Sequence, residues 1–185
     1  MRDVMIDIET LGTTAGCVIL SIGAVAFDAP SQVLGARHYG VVSIASSLSL
    51  GATVDQGTVD WWSKRTPQAQ RVLFEALSPA APSLIDALDR LSDYLLGQGS
   101  PSDLRIWGNG SDFDNVLLVA AYAQAGRKQP WRFYNHRCFR TLKNLFPGFE
   151  PVREGEHHNA LDDALHQARH ALAIEASRDL IRRAA

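Results

Sequence analysis

The sequence predicts an α/β domain with a mixed central β-sheet flanked by α-helices. Three observations carry this. Val- and Ile-rich runs at 4–8 and 18–27, followed by a third run at 33–42, read as an antiparallel meander. A brief apolar run at 104–107 leads through a tight Gly-Asn-Gly connection into a helix. The second half is mostly helical in its periodicity and closes on one long helix. Antiparallel strands followed by a strand-to-helix unit are the pattern of a mixed sheet. At 185 residues, 46% apolar and 21% charged, the chain fits one globular domain, residues 1–185, with a core of its own.

Each element has a local reason. Val4 to Ile8 is short and β-branched. Gly12 to Gly16 is a turn, and Gly23 inside the second strand implies a close backbone approach or a bulge. Asp28-Ala29-Pro30-Ser31 breaks that strand. Residues 43–60 are small, polar and weakly patterned. Pro67 opens a helix to 77, and Pro82-Ser83 open another. In the latter, Leu84, Leu88, Leu91 and Leu95 form one apolar stripe. Gly97 to Pro101 is a loop. After the strand at 104–107, Asp112 is the expected cap of a helix reaching about 125, where Gly126 stops it. Residues 133–135 read as one more short strand, and 139–146 as a short helix ended by Pro147-Gly148. A charged loop at 151–156 precedes a helix from 159 to about 182, with Leu161, Leu165, Ala168 and Leu172 on one stripe.

Composition excludes several classes. No apolar run has membrane-spanning length, and the N-terminus lacks a basic region followed by an apolar stretch. Cys17 and Cys138 are too far apart for a zinc motif or a disulfide framework, so a reducing, cytoplasmic setting is expected. A net charge of −2 neither demands nor forbids a nucleic-acid partner, because a carboxylate-metal site lowers the formal charge until ions bind.

The chemistry starts from Asp7 and Glu9. Residues two apart on a strand share a face, so these acids project side by side while Ile6 and Ile8 go to the other face. Like charges this close repel unless a cation sits between them, and oxygen clusters suit hard divalent ions. Further acids stand at Asp112 or Asp114, on the strand-to-helix junction where open α/β sheets place their sites. Another pair, Asp162 and Asp163, begins the last helix, just after His157 and His158. Four carboxylates and a histidine are the inventory for two-metal phosphodiester hydrolysis, with ions roughly 3.5–4 Å apart and a neutral His as general base. Trp61 and Trp62 cannot both face one core from a helix. One packs inward while the other covers a groove, or they offer a stacking platform for a base; the sequence does not separate the two residues.

Asp7-Ile8-Glu9-Thr10, Asn109-Gly110-Ser111-Asp112-Phe113-Asp114 and His158-Asn159-Ala160-Leu161-Asp162-Asp163-Ala164 resemble the three motifs of the DEDDh, or DnaQ-like, 3′–5′ exonucleases. Within that family the chain is most similar to the ribonuclease T-like exoribonuclease branch, to which Thr58-Val59-Asp60-Trp61-Trp62 adds weight. The resemblance implies a ribonuclease H-like fold and a metal-dependent 3′–5′ exonuclease. The family's metal-binding Asp follows an aromatic residue, which selects Asp114 and leaves Asp112 as the cap. Its His-x-Ala register selects His158 and Asp163, leaving His157 as a loop residue and Asp162 as an acid favoured by the helix dipole. The implied site is Asp7, Glu9, Asp114 and Asp163 holding two Mg²⁺ or Mn²⁺ ions, with His158 as base. Thr10, Leu11, Gly12, Asn109, Trp61 and Trp62 would contact substrate: a backbone amide of the 10–12 turn at the 3′-hydroxyl, Leu11 wedged against the base. His38, His136, His166 and His170 are expected at the surface or partly buried.

The implied partner is a single-stranded 3′ end, RNA in preference to DNA. Homodimerisation is common in the resembling branch. Two other readings differ in class. A catalytically silent binding module would have lost one of the five site residues, and all are present. A proofreading subunit needs a docking segment, and the chain ends close to its last expected helix.

Overall fold

The computed structural model describes residues 1–184. Five strands form one sheet in the order β3-β2-β1-β4-β5. β1 (Asp3–Thr10), β2 (Ile19–Asp28) and β3 (Val33–Val41) are the antiparallel meander. β4 (Arg105–Gly108) pairs parallel to β1, and β5 (His136–Cys138) pairs parallel to β4. The sheet is therefore mixed, as expected.

Alternation along β1 divides the molecule. Val4, Ile6 and Ile8 join a buried cluster with α4 (Leu84–Leu96) and α5 (Asp114–Gln124). Met5 faces the opposite side, in the cluster under α6 (Phe139–Leu145) and α7 (Ala160–Ala184). Asp7 and Glu9 continue the Met5 face, so both acids look toward α7. Leu84, Leu88, Leu91 and Leu95 are all fully buried or nearly so, each contributing roughly 1.5–3 kcal/mol.

Gly23 is a close approach, not a bulge. It lies opposite Asp7 in the β1–β2 register, and a Cβ there would overlap the Ala160 carbonyl and the Leu161 amide at the start of α7. The absent side chain lets the first turn of α7 press onto the sheet beside Asp7. Gly23→Ala is expected to destabilise the fold by about 1–3 kcal/mol and to lower activity by shifting Asp163; urea unfolding and turnover measured together check this.

Three expectations need correction. Residues 133–135 form a 3₁₀ turn rather than a strand, and the strand is the following triplet. Phe133 and Tyr134 have strand-forming side chains, but both are exposed, and β4 pairs with His136 to Cys138 instead. The weakly patterned stretch at 43–60 contains α1 (Ile44–Ser49) and α2 (Gln56–Trp62), ahead of α3 (Pro67–Leu77). Helices of one to two turns are too short to show periodicity, yet their caps are clear: Ser43 accepts from the Ser46 amide, and Asp55 from Gly57 and Thr58. His166 and His170 are buried within α7 rather than at the surface or partly exposed. No helix among the described residues is long and apolar enough to cross a membrane.

Candidate active site: four carboxylates and a histidine

Each acid is set by a different element. Asp7 and Glu9 come from β1, and Gln167 on α7 donates its side-chain amide to Asp7 Oδ1 at 2.7 Å. Asp114 opens α5 and is buried; its Oδ2 accepts from the Asn109 amide at 2.7 Å and its Oδ1 from the Ile8 amide at 3.3 Å. Gly108 makes room for it, since a Cβ there would stand 2.9 Å from the Asp114 Cβ. Asp163 lies in the first turn of α7. Its Oδ2 accepts from the His158 amide at 2.9 Å and its Oδ1 from the Arg153 guanidinium at 2.6 Å. His158 has φ of 64°, a left-handed conformation that turns both its amide and its ring toward the acids.

Ligand atoms of Glu9, His158 and Asp163 lie within 4.8 Å of one another. Together with Asp7 and Asp114, all five residues line one cavity of about 260 Å³. The structure thus brings Asp114, His158 and Asp163, the residues the motif register selects, to the same cavity as Asp7 and Glu9. Asp112 does not cap α5: the cap position is Phe113, without a side-chain bond, and Asp112 is exposed. Asn159, through Oδ1, caps α7 by accepting from the Leu161 and Asp162 amides. Asp162 accepts from the Glu156 amide, and His157 is an exposed loop residue.

The electrostatics are those of crowded, dry acids. Burial, then Asp114, Glu9 and Asp163, push the Asp7 carboxyl well above the usual carboxylate range. Burial, then Asp163 and Asp114, push Glu9 to about 8. Burial raises Asp114 to about 6 against the backbone donors that pull it down. Burial lowers the His158 imidazole, with Asp163 opposing, so the ring is neutral near pH 7. Such a cluster is relieved by hard cations, and its all-oxygen acid set with one imidazole fits divalent ions.

The structure separates the two tryptophans. Trp62 is almost fully buried, donates its indole N–H to the Thr10 carbonyl at 2.9 Å, and only contributes to the wall of the cavity that Trp61 also lines. Trp61 is 37% exposed. Its ring lies edge-on to His158 at 4.8 Å, and the Arg65 guanidinium sits over it at 4.3 Å. Trp61 helps line a second cavity of about 390 Å³ with Glu9, Thr10, Thr58 and Phe113.

The expected contacts of the 10–12 turn are partly overturned. Leu11 is buried with Val18, Leu20 and Trp62, so it is a packed turn residue and not a wedge. Its amide is already spent on the Val18 carbonyl. Gly12 is buried and packs too closely on Cys17 to admit a Cβ. Thr10, buried, donates to the Gly12 carbonyl and still lines the aromatic cavity. Asn109 lines the acid cavity as well as holding Asp114. Sequence reasoning missed Gln167 and Arg153. Gln167 stands one helical turn after Asp163, so i, i+4 spacing places it on the same face; nothing in the 151–156 loop singles out Arg153.

With this geometry in hand, the relatives are informative. A family model described as a 3′–5′ exoribonuclease Rv2179c-like domain matches residues 2–175. An exodeoxyribonuclease of Enterobacteria phage T4 is 25% identical over 161 residues, covering 76% of this chain and 70% of that protein. The nuclease domain of 3′hExo, a DEDDh family member bound to rAMP, superposes with a TM-score of 0.61 at 13% identity, covering 95% of this chain and 92% of that one. E. coli Exonuclease I in complex with a dT13 oligonucleotide gives 0.66 at 14% identity, covering 97% of this chain and 42% of that one. These structural likenesses establish the ribonuclease H-like fold. From the match over residues 2–175, the chain belongs to the Rv2179c-like 3′–5′ exoribonuclease domain family, whose members are exonucleases acting on nucleic acid.

Proposed function

We propose that residues 1–185 act as a single exonuclease domain that shortens single-stranded RNA from its 3′ end and releases nucleoside 5′-monophosphates. The observation that carries this is the convergence of Asp7, Glu9, Asp114, Asp163 and His158 on one cavity. Asp7, Glu9, Asp114 and Asp163 would hold two divalent ions, Mg²⁺ or Mn²⁺. When bound, such ions lower the pKa of the attacking water and stabilise the leaving oxygen.

The chain's own residues do the rest. His158, neutral near pH 7, takes the proton of the attacking water through its ring. The Trp61 edge contact restrains that ring. The exposed face of Trp61 stacks on the terminal base, worth roughly 1–3 kcal/mol. Trp62 and Leu11 support the pocket from within. Gln167 and the Asn109 amide hold Asp7 and Asp114 in place.

His158→Ala is expected to lower kcat by roughly 10²–10⁴-fold, while His157→Ala changes it little; single-turnover rates on one oligonucleotide check this, and the reverse order would move the base by one residue. RNA is favoured by the family's exoribonuclease character. The phage exodeoxyribonuclease supports a second reading, with DNA as substrate. The ratio of kcat/KM on RNA and DNA strands of one sequence decides: above one is expected, and below one transfers the reading to DNA. A cytoplasmic setting accords with Cys17 and Cys138, both free thiols. A homodimer, expected from the resemblance, is tested by light scattering.

A further inference from the structure

Unpartnered polar atoms concentrate beside the acid cluster. Among the described residues, nine buried side-chain nitrogen or oxygen atoms lack a hydrogen-bond partner. Five of them, in Asn109, Arg153, His166, Gln167 and His170, belong to residues lining a single cavity of about 170 Å³. An unpaired buried polar group costs about 1–3 kcal/mol, and native structures keep few. A concentration of this kind marks a place built to receive a polar partner.

Asn109 Oδ1 and Gln167 Oε1 are acceptors, but Arg153 Nε–H donates, and the His166 and His170 ring nitrogens donate in the fitting tautomer. These nitrogens, with the cations of the lining, point to an anion. Lys143 and Arg153 supply full positive charge there. One terminal nitrogen of Arg153 is committed to Asp163 and to the Glu156 carbonyl, which leaves its Nε–H without a partner. Glu150, the other acid of the lining, faces His166 at 3.3 Å.

Shared walls set the order of the cavities. The aromatic cavity shares Ile8, Glu9 and Phe113 with the acid cavity. The acid cavity shares Asn109, Asp163 and Gln167 with the basic one. The acids thus lie in the middle of a row. A strand with its terminal base against Trp61 and its scissile phosphate on the acids brings its next phosphate to the far side. Resting on the exonuclease reading above, we propose that this cavity is the subsite for the second phosphate from the 3′ end, with Lys143 and Arg153 as its anion ligands. A competing route exists past Lys64 and Arg65, in a groove that meets the acid cavity at His158.

The test uses a ten-residue single-stranded RNA carrying one neutral methylphosphonate, at the second or the fifth linkage from the 3′ end. The ribose on the 5′ side of each position is 2′-O-methylated in modified and control strands alike. In the wild type, the second-linkage substitution is expected to raise KM for the first cleavage about tenfold, through loss of charge-assisted hydrogen bonds, and the fifth-linkage substitution less than about twofold. In Lys143→Met the second-linkage penalty falls below about twofold, and Lys143→Arg restores it. Cleavage with no second-linkage penalty overturns the subsite and leaves the exonuclease reading standing. So does a penalty that survives in Lys143→Met and vanishes in Lys64→Met/Arg65→Met. If the unmodified strand is not shortened, the exonuclease reading falls and the subsite with it.

Discussion

Asp7→Asn is expected to abolish exonuclease activity, a loss of roughly a thousandfold or more for removing several kcal/mol of transition-state stabilisation, while stabilising the metal-free fold. Asn is close to Asp in shape, and its carbonyl can still accept from the Gln167 side chain that now holds Asp7 Oδ1. What disappears, at the alkaline pH where the carboxyl sheds its proton, is one negative charge facing Asp114, Glu9 and Asp163, the groups that raise the Asp7 carboxyl after burial. Each kcal/mol regained shifts the thermal midpoint by about 2–4 °C for a chain of this size. Calorimetry in EDTA and turnover in Mn²⁺ check the two halves separately. Retained turnover would remove Asp7 from the ion-binding set, and a lowered midpoint would show that it serves the fold instead.

Metal ions are expected to stabilise the protein more at pH 8 than at pH 5. Glu9 is raised to about 8 and Asp114 to about 6, while Asp7 also lies above its usual range. In the unfolded chain these groups titrate near about 4. A carboxyl whose folded pKa is raised favours folding fully only below its unfolded pKa, and that contribution is lost as pH rises through the folded value. In EDTA, stability should therefore fall from about pH 4 to about pH 8 as protons leave the cluster. Divalent ions replace those protons and bind the folded state alone, so their stabilisation grows as the acids ionise. Thermal midpoints with EDTA and with Mn²⁺ across this range measure the difference. An equal gain at both pH values would mean that the acids do not hold the ions.

The first strand was the most legible part of the chain. A period of two is enough to put Asp7 and Glu9 on one face and Ile6 and Ile8 on the other; the strand is buried on both faces, and its packing partners separate them, α4 and α5 for the isoleucines and α7 for the acids. The leucine stripe of α4 and the start of α7 were readable for the same reason: long periodic segments announce their buried face. Asp114, His158 and Asp163 are selected by a motif register, and the backbone amides that hold the two acids are contacts periodicity does not report. Burial depends on partners far apart in sequence, so the sequence alone separates neither a packed Leu11 from a wedge nor Trp61 from Trp62. The Trp62–Thr10 bond spans 52 residues, and nothing local to the Trp-Trp pair indicates it. Residue type points to Asp112 as the cap, but α5 starts at Asp114 with Phe113 in the cap position and no side-chain cap bond.

The proposed function requires the five clustered residues to make a metal-dependent exonuclease working from the 3′ end. The most direct measurement follows a 5′-labelled single-stranded RNA with Mn²⁺ or Mg²⁺, alongside EDTA and Asp163→Asn controls, with the released product identified by mass. The expected result is a ladder shortening one nucleotide at a time from the 3′ end, nucleoside 5′-monophosphate as product, and no ladder in either control. Internal cuts, shortening from the 5′ end, or a ladder that persists in EDTA or in Asp163→Asn would contradict it.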